Sequence, residues 1–342
     1  MDIHFLITFV PLSTHFQQAY NFFPPSFFNF NVLMRILQRI DNRFMRGDLQ
    51  YFKSLKFEND SRFLDLDHYL IRYRLYGKGK YTVVITPNPM NMIEHYDQLV
   101  QVLGQSFQVL VFELPGFGFS LPKQSNYDYS LKSTTMATIA VLEALQLSNC
   151  IMALPSMSGY ISLKIGEIRP DLVHGVVNIQ MLNWEQQQQW AYNIHKKIPL
   201  KTPLLGQLYF RMNKQRTVEK WYHYAVPNES IRQSHIDIAL KNFAKGAHYS
   251  LASTFQVFFN NEKPPLRALS VPALFIWGNK DKTHGKYSKW SAIQYHNDYE
   301  PHDFEGAGHY PELEQPERFT RLMQKRFLQT DLITTEDYSS HQ

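Results

Sequence analysis

The chain turns from strand to helix within Cys150-Ile151-Met152-Ala153-Leu154-Pro155-Ser156-Met157-Ser158-Gly159-Tyr160. The apolar run ends at a proline, a serine follows, and a helical pattern begins at once. This arrangement places Ser156 beside a helix N-terminus, with its hydroxyl projecting above the end of a sheet. The backbone N–H of Met157 then points to where a negatively charged oxygen develops during acyl transfer. Serine is a weak nucleophile alone, so this interpretation requires a base and a carboxylate from elsewhere in the chain.

A carboxylate and a histidine follow two later strand-like segments. Asp281 comes after the apolar run Ala273-Leu274-Phe275-Ile276-Trp277, and His309 lies in Gly306-Ala307-Gly308-His309-Tyr310-Pro311 after the last predicted strand. Loops at the carboxyl ends of parallel strands meet at one edge of a sheet, so we expect both side chains near Ser156. The chain order Ser, Asp, His is also the order typical of this turn geometry.

Short apolar runs alternate with helical patterns through most of the chain. The predicted strands cover 62–67, 69–76, 81–86, 107–113, 149–154, 173–180 and 273–277, and helices are predicted near 95–104, 128–146 and 156–168. Continuous apolar strands separated by helices indicate a parallel sheet that is covered on both faces. The predicted fold class is therefore α/β, with a mostly parallel sheet and helices on both sides.

This alternation stops between about residues 183 and 266. The stretch has helical patterning, repeated prolines and three of the five tryptophans, which predicts a helical insertion into the sheet domain. The predicted organisation is an aromatic N-terminal extension with an amphipathic helix over 1–60, a first part of the core over 61–182, the helical insertion over 183–266, a second part of the core over 267–330, and a polar tail over 331–342.

These motifs in this order resemble the α/β-hydrolase superfamily, in the branch with a helical cap between the sixth and seventh strands. Glu113-Leu114-Pro115-Gly116-Phe117-Gly118-Phe119-Ser120 is similar to the family's Asp-x-Pro-Gly-x-Gly-x-Ser loop. Thr86-Pro87-Asn88-Pro89 stands where the family has His-Gly-x-Pro. The resemblance covers about residues 62–328.

The resemblance implies a site built from five residues. It implies Ser156 as the nucleophile, His309 as general base and then acid, and Asp281 as the carboxylate that orients the imidazole. It further implies that the backbone N–H groups of Asn88 and Met157 form the oxyanion hole. No metal and no organic cofactor is implied.

The chain departs from the family at several small residues. Leu154 and Ser158 stand where the family's Gly-x-Ser-x-Gly turn has its glycines. Ser158 is the alternative nucleophile, but the bulky Tyr160 would then occupy a glycine position, which favours Ser156. Pro87 replaces a glycine of the oxyanion loop and cannot adopt a positive φ, and the bond before Pro89 is a candidate cis peptide.

The expected activity is cleavage of an ester, thioester or related acyl bond in a small, largely apolar substrate, through an acyl-enzyme on Ser156. Two alternatives stay open. The same three residues could serve an acyltransferase or a carbon–carbon bond hydrolase. The altered glycine positions favour the other alternative, a non-catalytic ligand-binding protein of the same fold.

The composition narrows the expected partners and location. The 35 basic and 30 acidic residues give a net charge of +5 without a long basic run, so we expect no nucleic-acid partner. Cys150 is the only cysteine, which excludes an internal disulfide and a cysteine-based metal site. No uncharged apolar run is long enough to span a membrane. We therefore expect a cytoplasmic protein, with a peripheral membrane location as the alternative.

The first 30 residues contain eight of the 25 phenylalanines and one charged residue, Asp2. One interpretation is an interfacial membrane anchor that makes peripheral contact with a bilayer. The other is an extension that packs over the hydrophobic surface of the main domain. The segment lacks the basic face that membrane helices usually carry, which favours the second interpretation.

Overall fold

A mixed sheet forms the centre of the computed structural model, which describes residue 39 and residues 42–43, 46–195, 205–258 and 263–328. The main strands are β1 (Arg62–Asp65), β2 (Tyr69–Tyr76), β3 (Thr82–Ile85), β4 (Gln108–Phe112), β5 (Cys150–Met152), β6 (Val173–Ile179), β7 (Ala273–Gly278) and β8 (Tyr299–Phe304). Their spatial order is β1-β2-β4-β3-β5-β6-β7-β8, with the short strand Leu121–Pro122 also paired to β2.

The sheet is parallel from β4 to β8. Only β2 runs antiparallel to its neighbours β1 and β4 among these eight strands of the described chain. Every residue of β3, β5 and β7 is buried, because helices cover both faces of the sheet. The predicted α/β class with a mostly parallel sheet is confirmed, and the strand bounds lie within a few residues of the predicted ones.

The helices are α1 (Leu49–Ser54), α2 (Asp97–Leu103), α3 (Leu131–Ala144), α4 (Gly159–Ile168), α5 (Trp184–His195), α6 (Leu205–Met212), α7 (Lys214–Ala225), α8 (Glu229–Ala244), α9 (Leu251–Val257), α10 (Pro311–Glu314) and α11 (Pro316–Phe327). Helices α2 and α11 cover one face of the sheet, and α3 and α4 cover the other. Alternate strand residues feed the two cores: Val83 and Ile85 point to the first face, and Val84 points to the second.

Helices α5–α9 lie between β6 and β7 in the chain, and we call them the insertion helices. A two-residue strand, His248–Tyr249, pairs antiparallel with Phe117–Gly118 from the loop after β4. This pairing ties the insertion helices to the carboxyl edge of the sheet. Among the described residues, no helix is both long and apolar enough to cross a membrane.

The N-terminal predictions fall mostly outside the described residues, as does the polar tail over 331–342. Within the N-terminal extension predicted over 1–60 with its amphipathic helix, Asn42 is helical and fully buried. Its side chain donates to the Tyr127 carbonyl at 2.8 Å and accepts from the Tyr129 hydroxyl at 2.9 Å. This part of the N-terminal region is therefore docked on the loop that precedes α3.

Candidate active site

Ser156 lies in a strained turn between β5 and α4. One 3-10 turn, Ser156–Ser158, joins the strand to the helix. The φ of Ser156 is +51°, in the left-handed region that costs free energy for any residue with a side chain. Ser158 has an ordinary helical φ of −68°. Backbone strain of this kind persists where the surroundings impose it, and it clusters at functional sites.

The turn forms although a leucine occupies a position where the family has glycine. Leu154 is fully buried in the core between the sheet and helices α3 and α4. The small residue that the packing requires is instead Gly159, where an added Cβ would lie 2.4 Å from the sulfur of Met181. The bulk of Leu154 is thus taken up by the core.

Asp281 and His309 form a buried hydrogen-bonded pair. The Nδ1 atom of His309 lies 2.9 Å from Oδ2 of Asp281, and the N–H and hydroxyl of Thr283 each donate to Oδ1 at 2.7 Å. Burial alone would raise the pKa of Asp281, but the charge and hydrogen bond of His309, with the Thr283 hydroxyl, lower it to about 2. An ionised carboxylate only accepts, so Nδ1 of His309 carries the hydrogen and Nε2 is left as an acceptor.

Gln180 ties the loops of the acid and the histidine together. It follows β6, is fully buried and has a φ of +50°. Its Nε2 lies 2.8 Å from Oδ2 of Asp281, 3.2 Å from the Gly308 carbonyl and 3.4 Å from the Gly278 carbonyl. The two loops are also in close backbone contact, since a Cβ at Gly278 would lie 1.9 Å from the Gly308 carbonyl oxygen.

The insertion helices contact the histidine loop directly. The N–H of His309 donates to the carbonyl of Ala225, the last residue of α7, at 2.7 Å. The Trp221 ring lies edge-on to the imidazole with 5.5 Å between centroids, and its N–H donates to the Tyr310 hydroxyl at 2.6 Å. The insertion therefore helps to fix the position of the imidazole.

Asn88 reaches the other nitrogen of the imidazole. Its Nδ2 lies 3.0 Å from Nε2 of His309, and because Nε2 is the acceptor, the amide donates. The backbone N–H of Asn88 is directed at the Tyr96 hydroxyl, 3.5 Å away. Nε2 is thus paired with Asn88 rather than with Ser156. The bond before Pro89 is trans, as are all peptide bonds of the described residues.

A second histidine is buried beside the pair. The His284 ring meets His309 edge-on with 4.8 Å between centroids, and its Nδ1 is 3.8 Å from Oδ2 of Asp281. Burial, followed by the charge of His309, lowers the pKa of His284 to about 3, so its ring is neutral. In the described part of the chain, these three residues are the group that could hold a metal ion. However, His309 and Thr283 already hydrogen-bond the carboxylate, so the donor set favours proton transfer over metal binding.

The loop after β4 is held by the residues that resemble the family motif. Glu113 accepts from the Phe119 N–H at 2.7 Å and from Arg72 at 3.2 Å, and the Arg72 N–H donates to the Ser120 hydroxyl at 2.8 Å. Gly118 has a φ of +56°, and an added Cβ would lie 2.1 Å from the Glu113 carboxyl carbon. These contacts fix the loop after β4, which lines one side of an apolar cleft.

An apolar cleft opens between the predicted oxyanion loop and the serine turn. Its lining residues come from both loops, from the loop after β4, from helices α3 and α4, and from helix α9 with the residue that follows it. They are Pro87, Pro89, Leu114, Phe117, Thr134, Met157, Ser158, Ile161, Thr254 and Phe258. Most of the aromatic residues of the insertion, including Trp184, Trp190, Tyr222 and Phe255, are instead buried in its packing.

Sequence reasoning missed Gln180 and Thr283, which hold Asp281. Thr283 had a weak local signal, because an aspartate often accepts from the residue two positions later. Gln180 had none beyond its place at the end of a predicted strand. Its contacts are made to residues about a hundred positions away.

Comparison with known proteins is consistent with this arrangement. The profile of the alpha/beta hydrolase family matches residues 91–322, more than half of the chain. The uncharacterized hydrolase YugF of Bacillus subtilis (strain 168) is 22% identical over 208 residues, which cover 60% of this chain and 74% of YugF.

Solved structures with the same fold include hydrolases of different kinds. Est816, described as an N-acyl homoserine lactone degrading enzyme, is 19% identical with a TM-score of 0.59, covering 77% of this chain and 99% of its own. A laboratory-evolved variant of potato epoxide hydrolase is 14% identical with a TM-score of 0.63, covering 79% of this chain and 99% of its own. At these identities the likeness concerns the fold alone. With the family profile covering both the serine turn and the histidine loop, the chain belongs to the alpha/beta hydrolase family.

Proposed function

We propose that the protein is a serine hydrolase that cleaves an ester, thioester or related acyl bond through an acyl-enzyme on Ser156. The observation that carries the proposal is the left-handed φ of Ser156, at the sheet edge that also holds the His309–Asp281 pair. A serine turned out of regular geometry beside a base–carboxylate pair is the arrangement that nucleophilic catalysis needs.

The reaction would proceed in two halves. Nε2 of His309 accepts the Ser156 proton while Oγ attacks the carbonyl carbon, and the ionised Asp281 stabilises the imidazolium. The leaving alcohol or thiol then takes the proton from Nε2, which leaves the acyl group on Ser156. A water molecule, activated by the same nitrogen, releases the acid and restores the serine.

Asn88 has to release Nε2 before Ser156 can use it. An imidazolium can no longer accept a hydrogen bond, so the Asn88 amide is displaced as the proton arrives. We propose that the amide then donates to the oxyanion, opposite the backbone N–H of Met157. The side chain suits this role better than the backbone N–H of Asn88, because the latter is directed at Tyr96.

The cleft supports a small, largely apolar acyl group. Its walls are aliphatic, aromatic and proline side chains, and its polar residues are Thr134, Ser158 and Thr254. Helix α9 supplies Thr254 and the adjacent Phe258, so the insertion helices would act as a cap that sets specificity. Opening an epoxide through an ester intermediate would require a carboxylate at the serine position, so we favour acyl chemistry.

The test is steady-state hydrolysis of p-nitrophenyl acetate, butyrate and octanoate. We expect turnover by the wild type, with the short esters preferred, and none above background by Ser156→Ala. The folded state of the variant is checked by its thermal transition. Equal turnover by Ser156→Ala would overturn the proposal, and wild-type binding of esters without turnover would favour a non-catalytic ligand-binding protein.

A further inference from the structure

Helix α7 of the insertion contacts both loops that carry the proposed catalytic groups. The carbonyl of its last residue, Ala225, accepts from the N–H of His309 at 2.7 Å. Tyr222 lies one turn earlier, and its side chain is fully buried. The Tyr222 hydroxyl reaches the predicted oxyanion loop after β3, where it lies 3.1 Å from the Met90 carbonyl oxygen and 2.7 Å from Oδ1 of Asn91. The last turn of α7 therefore touches both the histidine loop and the oxyanion loop.

The oxyanion loop is strained at the point that Tyr222 contacts. Met90 has a φ of +84°, in the region where a side chain crowds the backbone. The turn is closed by the Asn91 N–H, which donates to the Asn88 carbonyl at 2.8 Å. A strained backbone persists only where its surroundings hold it, so the contacts of Met90 and Asn91 help to fix the position of Asn88. The Tyr222 hydroxyl supplies two of those contacts.

The directions of the hydrogen bonds at the Tyr222 hydroxyl follow from its neighbours. The carbonyl oxygen and the amide oxygen of the oxyanion loop only accept, so the hydroxyl donates toward them. On the other side lies the ring of His95, whose Nδ1 accepts from the Met92 N–H at 3.0 Å, so its Nε2 carries the hydrogen. Nε2 donates to the Tyr222 oxygen, 3.0 Å away, and to the His235 carbonyl at 3.1 Å. Burial lowers the pKa of His95 to about 4, which keeps this ring neutral. The hydroxyl is thus held from both sides.

We infer that Tyr222 is a positioning residue for the proposed reaction. Its hydroxyl holds the oxyanion loop in the place where the Asn88 amide lies 3.0 Å from Nε2 of His309. The amide then stays within reach of the oxyanion when the imidazole takes the proton. Tyr222 acts through Asn88 rather than on the substrate. This inference rests on the proposed function, in which the Asn88 side chain donates to the oxyanion.

Helix α7 would then couple the two sides of the site. Trp221 contacts the imidazole and donates to the Tyr310 hydroxyl, and Tyr222 beside it holds the oxyanion loop. A displacement of α7 would therefore move the base and the oxyanion donor together. The insertion would contribute to the rate of the reaction as well as to the choice of substrate.

The test is a double-mutant cycle between Tyr222→Phe and Asn88→Ala, measured on p-nitrophenyl acetate hydrolysis. Phenylalanine keeps the ring and removes the hydroxyl. We expect Tyr222→Phe to lower kcat by about tenfold with KM within about threefold, because the oxyanion exists only in the transition state. In the Asn88→Ala background the same substitution should change kcat by less than about twofold, because the amide that Tyr222 positions is gone. Losses in kcat that multiply would overturn the inference, since a general effect on the fold does not depend on Asn88.

The matched control is Tyr129→Phe, which removes another buried hydroxyl. The Tyr129 hydroxyl lies 2.9 Å from Oδ1 of Asn42 and 3.3 Å from Oγ of Ser250. Tyr129→Phe should lower the melting temperature and leave kcat at the wild-type value. An equal loss of kcat in the two tyrosine variants would contradict a specific role for Tyr222.

A second variant and the wild type complete the test. Asn91→Ala removes the hydrogen bond of Tyr222 from the loop side and should show the same dependence on Asn88, whether or not Tyr222→Phe folds. A kcat that Tyr222→Phe and Asn91→Ala both leave unchanged would overturn the inference alone. A folded wild type that hydrolyses none of the esters would overturn the proposed function and, with it, this inference.

Discussion

Replacing Gln180 by glutamate tests the contact between the Gln180 side chain and Asp281. The Gln180 amide lies 2.8 Å from Oδ2 of Asp281, so the Gln180→Glu variant places a second carboxyl there. Two carboxylate charges about 4 Å apart repel by roughly 4 kcal/mol at an effective dielectric constant of about 20. That repulsion raises the pKa of the introduced carboxyl by about 3, and burial raises it further. The new group therefore titrates in the neutral range or above.

The two forms of the new carboxyl have opposite effects on Asp281. While protonated, its O–H donates to Asp281 as the amide did. Once ionised, it donates nothing and competes with Asp281 for the imidazolium. The kcat/KM of the variant should therefore lie within about threefold of the wild-type value at pH 6. Its ratio to the wild-type value should then fall by roughly 10- to 100-fold by pH 9.

The assay is p-nitrophenyl acetate hydrolysis from pH 5.5 to 9.5, with Gln180→Met as the control. The methionine of Gln180→Met has nearly the same shape as glutamine and no titratable group. Its kcat/KM should therefore be lower than the wild-type value by about tenfold or more, and by the same factor at every pH. A pH-independent ratio for Gln180→Glu would refute the argument that Gln180 acts through a hydrogen bond to Asp281. Wild-type rates for Gln180→Met would refute any positioning role.

Three further outcomes follow from single contacts. Asn88→Ala should lower kcat by about 10- to 100-fold with KM nearly unchanged, because the oxyanion exists only in the transition state; a change confined to KM would contradict that role. Burial raises the pKa of Glu312 to about 8, so the folded state binds this proton more tightly than the unfolded state, and stability is lost as pH rises from about 4.5 to 8. The free energy of unfolding measured with urea should therefore fall more steeply with pH for the wild type than for Glu312→Gln. The stability of the variant relative to the wild type should rise by roughly 2–4 kcal/mol between pH 5 and pH 8.5, and parallel pH dependences of the two proteins would contradict this. Gly278→Ala should lower the melting temperature and the turnover together, because its Cβ would lie 1.9 Å from the Gly308 carbonyl oxygen beside His309, and unchanged activity would contradict this contact.

Local patterns were enough to predict the framework of the site. The apolar runs of β3, β5 and β7 are buried on both faces, which produces the unbroken hydrophobic signal that a sequence displays. Parallel strands end at one edge, so the loops after β5, β7 and β8 had to carry Ser156, Asp281 and His309 to the same side. The contact between His309 and Asp281 agrees with that expectation.

The contacts that complete the site had no comparable signal. Gln180 meets Asp281 only because β6 and β7 are neighbours in the sheet, and the direction of its side chain depends on its positive φ. The turn of Asn88 toward His309 depends on how the whole loop packs against Tyr96. Leu154 was a departure from the family pattern by residue type, yet the core has room for it. Such outcomes depend on tertiary packing rather than on periodicity.

The central claim is that Ser156 is an activated nucleophile. Intact-mass analysis after treatment with a fluorophosphonate measures this directly, with Ser158→Ala as the matched control for Ser156→Ala. We expect one adduct on the wild type and on Ser158→Ala, and none on Ser156→Ala. An adduct that persists on Ser156→Ala, or a folded wild type that takes none, would contradict the account.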